Sequence, residues 1–224
     1  MDDNLVVLDE IPFAPNVADF LKVAGIPGDS ELAEAATGLF EWAVPQTRPK
    51  ALHRISFINE RKNDFVAVDK AVFSSRALAE NLKDVERVFA FVATCGNELE
   101  EVAYDADPFM GPFWLDSFKA LALQSAVAAL QADLRKRYGL EKFAGMNPGS
   151  ADEDVWPIEQ QRSLFALCGD VEDLIGVVLT DSYLMLPTKT VSGIYFETES
   201  TFVSCQLCTR ELCPSRRAKY TGQV

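Results

Sequence analysis

Apolar residues recur at helical spacing in several stretches of the chain and cluster as short β-rich runs in others. Asp29, Ser30 and Glu31 make a capping signal, and Leu32, Ala35, Ala36 and Leu39 follow as a stripe, predicting a helix through about Trp42. Prolines at 12, 15, 27, 45 and 49 cut the remainder of the first fifty residues into short pieces, a helix-rich lead-in. Residues 54–58 and 65–68 are rich in β-branched and aromatic side chains and are separated by a polar hexapeptide, so they are expected to be paired strands. A short helix is expected over residues 75–82. Val88 to Thr94 is apolar on both faces, the pattern of a central strand. The turn Cys95-Gly96-Asn97 ends it, and Glu98 to Glu101 then places carboxylates where a helix N-terminus favours them.

Further along, Phe118, Leu121, Val127, Leu130 and Leu134 define the longest helix, over residues 116–138, with Arg135, Lys136 and Arg137 in its last turn and Gly139 as terminator. The basic cluster complements the helix dipole and is taken as a cap. Pro157 opens another helix, carried by Ile158, Gln161, Leu164, Phe165 and Leu167 and stopped at Gly169. Residues 175–180, 184–186, 190–196 and 201–204 follow as strands too closely spaced for parallel crossovers, hence antiparallel. The fold class is α+β, a mostly antiparallel twisted sheet with flanking helices. Three segments follow: the lead-in over 1–50, an α+β core over 51–204, and a tail over 205–224.

Composition narrows the function. The chain has 224 residues, and a net charge of -13 repels nucleic acid and anionic membrane surfaces alike. No apolar stretch is long enough to span a membrane, and the acidic start with its short Leu5 to Leu8 run does not form a secretory leader, so a cytoplasmic location is expected. His53 is the single histidine, which excludes multi-histidine metal sites and relays within the chain, and it is expected to be structural. Glycine-rich dinucleotide and P-loop motifs are absent, as is a serine-hydrolase elbow.

Two segments carry candidate chemistry. The first is the loop from Gly145 to Pro157, where Asn147, Pro148, Gly149 and Ser150 offer small side chains and exposed amides and Trp156 offers an aromatic face. These are parts for a polar cofactor with an aromatic base, although from the residues alone a helix-connecting turn with Trp156 as a core plug is the favoured reading. The second is Cys205, Cys208 and Cys213, a C-x-x-C followed by a third cysteine after four residues. Such thiolates can share a zinc ion or an iron–sulfur cluster, the fourth ligand coming from Cys95, Cys168 or a partner. Arg210, Arg216, Arg217 and Lys219 nearby are expected to favour the thiolate form.

The ordered run Asn147-Pro148-Gly149-Ser150, Trp156-Pro157-Ile158-Glu159-Gln160-Gln161, Ile175-Gly176-Val177, Leu179-Thr180-Asp181-Ser182, Met185-Leu186-Pro187 and Val191-Ser192-Gly193-Ile194-Tyr195-Phe196 resembles the activation domain of cobalamin-dependent methionine synthase. Val92 to Glu100 resembles an upstream segment of the same family. The resemblance implies a domain that binds S-adenosylmethionine and presents it to a cobalamin on another domain or protein. The implied partners are a corrinoid-binding protein or cobalamin-dependent methyltransferase and an electron donor protein, and the implied role is reductive reactivation by a stand-alone homologue. It implies a cofactor site at Asn147, Pro148, Gly149, Ser150, Trp156, Tyr195 and Phe202. The chain departs from the family in having neither the arginine nor the tyrosine of the Pro-Gly turn, and Phe202 stands where a tyrosine is usual. Two other readings remain: a zinc or iron–sulfur redox protein on the tail cysteines with a vacant nucleotide pocket, and an adaptor that only docks a corrinoid protein.

Overall fold

The computed structural model describes residues 4–100, 102, 104, 107–152, 154–200, 202–213 and 216–222. In chain order its elements are β1 (Leu5–Leu8), α1 (Val17–Val23), α2 (Glu31–Ala43), β2 (Lys50–Arg61), β3 (Phe65–Val68), β4 (Ala71–Ser74), α3 (Arg76–Asn81), β5 (Arg87–Thr94), α4 (Gly111–Tyr138), β6 (Phe143–Met146), α5 (Gln161–Cys168), α6 (Val171–Ile175), β7 (Val178–Leu179), β8 (Met185–Leu186) and β9 (Thr190–Glu197). The main sheet runs β4-β3-β2-β5-β9-β6, with β1 also on β2, and β7 pairs with β8 apart from it. Every pairing is antiparallel, so the fold is α+β as the spacing of the strands suggested.

The two-faced strand β5 explains the layering. Phe89, Phe91 and Ala93 pack with Ala126, Leu130 and Leu134 of α4. Val88, Ala90 and Val92 point the other way, into a core with Leu164 and Cys168 of α5 and Ile175 of α6. A strand with both faces covered has no reason to alternate with polar residues. The first half of α4 packs against α1 and α2 through Trp114, Leu115 and Phe118, joined by Phe20 and Leu39. One helix thus binds the lead-in to the sheet. Its end is a left-handed Gly139, φ 68°, whose N–H bonds the Arg135 carbonyl at 3.0 Å.

Several elements differ from the sequence-based expectation. The buried face of α2 is Ala33, Ala36, Leu39 and Ala43, with Leu32 exposed. Helix α4 starts at Gly111, earlier than predicted, because Asp107 Oδ1 accepts the N–H groups of Phe109 and Met110 and Pro112 sits in the first turn. Residues 98–100 form a turn and not a helix start: Asn97 Nδ2 is drawn to the Gly176 carbonyl at 2.8 Å and Glu100 to Lys119 at 2.8 Å, while Glu101 lies outside the described residues. The expected strand over 175–180 is split, since Asp170 caps a short helix that Gly176 ends, leaving only Val178–Leu179 as strand. The expected strand over 201–204 is not formed: Ser204–Leu207 is a 3-10 turn, and Thr201 lies outside the described residues. The lead-in is not purely helical, since β1 pairs with β2 from Leu5↔Arg54 to Leu8↔Ala51.

His53 is fully buried on β2, with Nε2 2.8 Å from Asp133 Oδ2. Burial lowers its pKa below the ordinary 6.5, outweighing Asp133. Burial opposes ionisation of Asp133 too, but the bonds from Arg137 and His53 outweigh it and hold that carboxyl below its usual range. Below pH 6.5 the unfolded chain takes up a proton that the native His53 refuses, so this contribution to stability is complete above 6.5 and is lost as pH falls toward the native value. Melting temperature should therefore drop on acidification from neutrality. The lone imidazole, followed by proton NMR, should titrate with a midpoint under 6.5; a midpoint above it contradicts the assignment.

Candidate functional site

Strand β6 is the edge of the sheet, and its pairing with β9 brings the two candidate segments together. Asn147 leaves β6 and begins a tight turn in which Ser150 N–H bonds the Asn147 carbonyl at 3.2 Å. Pro148 and Gly149, φ 72°, occupy its centre, the residues a type II turn demands. Gly149 N–H bonds the Trp156 carbonyl at 2.8 Å, so the turn folds back onto its own loop. Asn147 Nδ2 crosses to the Ser192 carbonyl of β9 at 2.6 Å. That crossing passes Gly193, where an added Cβ would meet Asn147 Nδ2 at 2.5 Å.

Beyond this edge lies a cleft of about 690 Å³ between α4, β6, β9 and the tail, a size within the roughly 300–1,000 Å³ usual for small-molecule sites. Its walls include Val127, Gln131 and Arg135 of α4, Phe143 and Gly145 of β6, Asn147, Tyr195 of β9, Phe202 and Ser204 beyond it, and Arg217 of the tail. The Tyr195 ring stacks on Phe91 with centroids 4.2 Å apart and meets the edge of Phe143 at 5.2 Å. Gly145 gives it room, since a Cβ there would lie 2.8 Å from the ring. Burial pushes the Tyr195 phenol upward, keeping it protonated, while Gln131 Nε2 donates to its oxygen at 3.0 Å. Arg135 lies over Phe143, 4.9 Å from its centroid, and Lys142 is paired with Glu199 at 2.5 Å.

Of the seven cofactor candidates, Asn147, Tyr195 and Phe202 line this cleft. Pro148, Gly149 and Ser150 do not; the first is buried and the other two are exposed on the turn. Trp156 does not present a face to ligand. It is 1% exposed, its ring edge-on to Phe73 at 5.5 Å, the core plug that the loop composition also allowed. Gln131, Arg135, Phe143 and Arg217 were not singled out as cleft residues from sequence. The basic end of α4 carried a sufficient dipole explanation, and nothing local joins Arg217 to a helix eighty residues earlier. The loop acts on the cleft indirectly, because Asp152 accepts from Thr209 N and Oγ1 at 3.2 and 3.1 Å and so anchors the tail. A neighbouring cleft of about 830 Å³ shares residues 198–200 but is dominated by carboxylates, with Phe57 its one aromatic.

Among the described residues the tail is organised around an arginine. The Arg216 guanidinium donates to the carbonyls of Cys205 at 3.3 Å, Cys208 at 2.9 Å, Ala218 at 3.0 Å and Arg210. Cys205, Cys208 and Cys213 are free and partly buried, and among the described residues no group of three or more His, Cys, Asp or Glu side chains is placed to hold a metal ion. The expected zinc or iron–sulfur ligand set is thus not assembled, since the backbone closes round a guanidinium instead. Cys95 and Cys168, the fourth-ligand candidates, are buried thiols pushed up to about 12 by desolvation. Cys205 matches the thiolate expectation, its pKa lowered chiefly by the N–H of Arg217, which reaches its sulfur at 3.5 Å. Among the described residues no helix is long and apolar enough to cross a membrane.

The family profile described as "Vitamin B12 dependent methionine synthase, activation domain" matches residues 137–217. Among solved structures, a crystal structure of the MetH reactivation domain bound to AdoHcy is similar in fold, with a TM-score of 0.61 and 16% identity. The match covers 89% of this chain and 80% of that one. No curated protein matches significantly. The resemblance to the activation domain therefore holds in sequence over residues 137–217 and in fold over most of the chain.

Proposed function

We propose that the chain binds S-adenosylmethionine or its demethylated product in the cleft between α4, β6, β9 and the tail, and supports reductive reactivation of a cobalamin carried by another protein or domain. One observation supports this most: the matched segment 137–217 contains β6, β9, Phe202 and Arg217, every wall of the cleft except those from α4 and β5. The residues present fit such a ligand. Phe143 and Phe202 offer apolar surface to a purine, Glu141 offers negative charge to a sulfonium or ammonium, and Arg135 and Arg217 offer positive charge to a carboxylate. When bound, the sulfonium nucleotide would supply an electrophilic methyl group to the partner's corrinoid, with the electron coming from a donor protein.

The chain's own residues bind and orient. Gln131 fixes the Tyr195 hydroxyl, Asn147 locks β6 to β9, and the Asp152–Thr209 contact holds the tail wall closed. The partner is a corrinoid-binding protein or cobalamin-dependent methyltransferase.

Calorimetric titration with S-adenosylmethionine and S-adenosylhomocysteine tests the first reading. Saturable binding of one ligand per chain is expected, and Phe202→Ala should weaken it by about 1–3 kcal/mol, the usual worth of a base–aromatic contact. No saturable heat with either compound would remove the proposal.

A further inference from the structure

We propose that Arg217, delivered by the tail, is the residue that reads the carboxylate of the ligand's amino-acid portion; this rests on the nucleotide reading of the cleft. The side-chain amides around the cavity are already engaged. The Asn147 amide donates to the Ser192 carbonyl and the Gln131 amide to the Tyr195 hydroxyl. Lys142 is held by Glu199, and Arg135 lies over the Phe143 ring. Arg217 differs from all of these: its guanidinium makes no hydrogen bond or ion pair among the described residues, yet it lines the cleft.

Its backbone is fixed on both sides. The Arg217 N–H bonds Cys205 Sγ, and the preceding residue is Arg216, whose guanidinium gathers carbonyls from both ends of the tail. The result is an anchored main chain with a free planar fork. A guanidinium can receive a carboxylate through two parallel hydrogen bonds, which an amide cannot match in strength or direction. The same placement gives the tail a purpose that its cysteines do not supply as metal ligands: it carries a cation to a strand edge whose own loop has no basic residue.

The test compares S-adenosylhomocysteine with 5′-methylthioadenosine, which keeps the adenosine and thioether but lacks the amino-acid portion. Wild-type protein should bind S-adenosylhomocysteine about ten- to 100-fold more tightly, the range of a charge-assisted contact. Arg217→Ala should reduce that ratio to within about twofold while leaving methylthioadenosine affinity unchanged, and Arg217→Lys should restore part of it. Because Arg217 is exposed, these variants should keep the wild-type melting temperature. A wild-type ratio retained in Arg217→Ala, or lost instead in Arg135→Ala, overturns the assignment to Arg217 while leaving the nucleotide reading intact. Failure of both compounds to bind the wild type overturns that reading and the assignment together.

Discussion

Trp156→Ala should destabilise the protein by about 3–5 kcal/mol, the usual cost of truncating a buried tryptophan, and leave nucleotide affinity of the folded protein unchanged. The indole is 1% exposed and packs on Phe73 of β4. Its Nε1–H donates to Gln160 Oε1 at 3.3 Å, and Gln160 in turn bonds the backbone of Ser74 on both sides, accepting its N–H at 2.8 Å and donating to its carbonyl at 2.7 Å. A side-chain amide thereby takes the place of a neighbouring strand at the exposed edge of β4, where open backbone groups are a liability. Removing the ring leaves a cavity and loosens that brace. Denaturant titration monitors the loss, and calorimetry on the folded fraction monitors binding; weakened affinity with unchanged stability would return Trp156 to the ligand site.

Gly193→Ala should have the second large effect, because there is no space for the added methyl. Its Cβ would collide with the Met146 carbonyl oxygen and reach Asn147 Nδ2 at 2.5 Å. The clash falls on backbone, so relief requires β6 to move away from β9, breaking the register that runs from Phe143↔Glu197 to Met146↔Ile194. Overpacking of this kind costs about 1–3 kcal/mol. Unlike the tryptophan change it displaces Asn147, Phe143 and Gly145 together, so nucleotide binding should disappear along with the stability. A lowered melting temperature with intact calorimetric binding would mean that β6 is not a wall of the ligand site.

These contrasting outcomes follow from what a one-dimensional pattern can and cannot express. Helices α2, α4 and α5 and strands β5 and β9 were legible, because each carries its own periodicity or a long apolar run. Strand β6 was not: Phe143-Ala144-Gly145-Met146 is four residues with a glycine inside, and only the partner strand fifty positions later makes it a strand. Strand β1 is a bare apolar tetrapeptide whose partner begins at Lys50. Helix α6 is five residues, too short for a helical period, and its Asp170 and Gly176 caps are the only local signs of it.

The candidate site was legible in the same uneven way. Asn147, Tyr195 and Phe202 were reached through family resemblance and do meet at one cleft. Trp156 had two explanations at the level of sequence, a stacking face or a core plug, and only its packing against Phe73 separates them. Arg135 and Arg217 were visible as charges with adequate local explanations, one as a helix cap and one as a neighbour of thiols. Their convergence on a shared cavity depends on the path of the tail, which is drawn back by Asp152 and no pattern of hydropathy encodes.

The Arg216 hub gives that tail an all-or-none character. Four carbonyls spread from Cys205 to Ala218 share a single donor group, with one 3-10 turn as the only regular structure beside them among the described residues. Losing the hub would release every carbonyl at once, so this wall should behave as a small cooperative unit that opens whole while the sheet behind it stays paired.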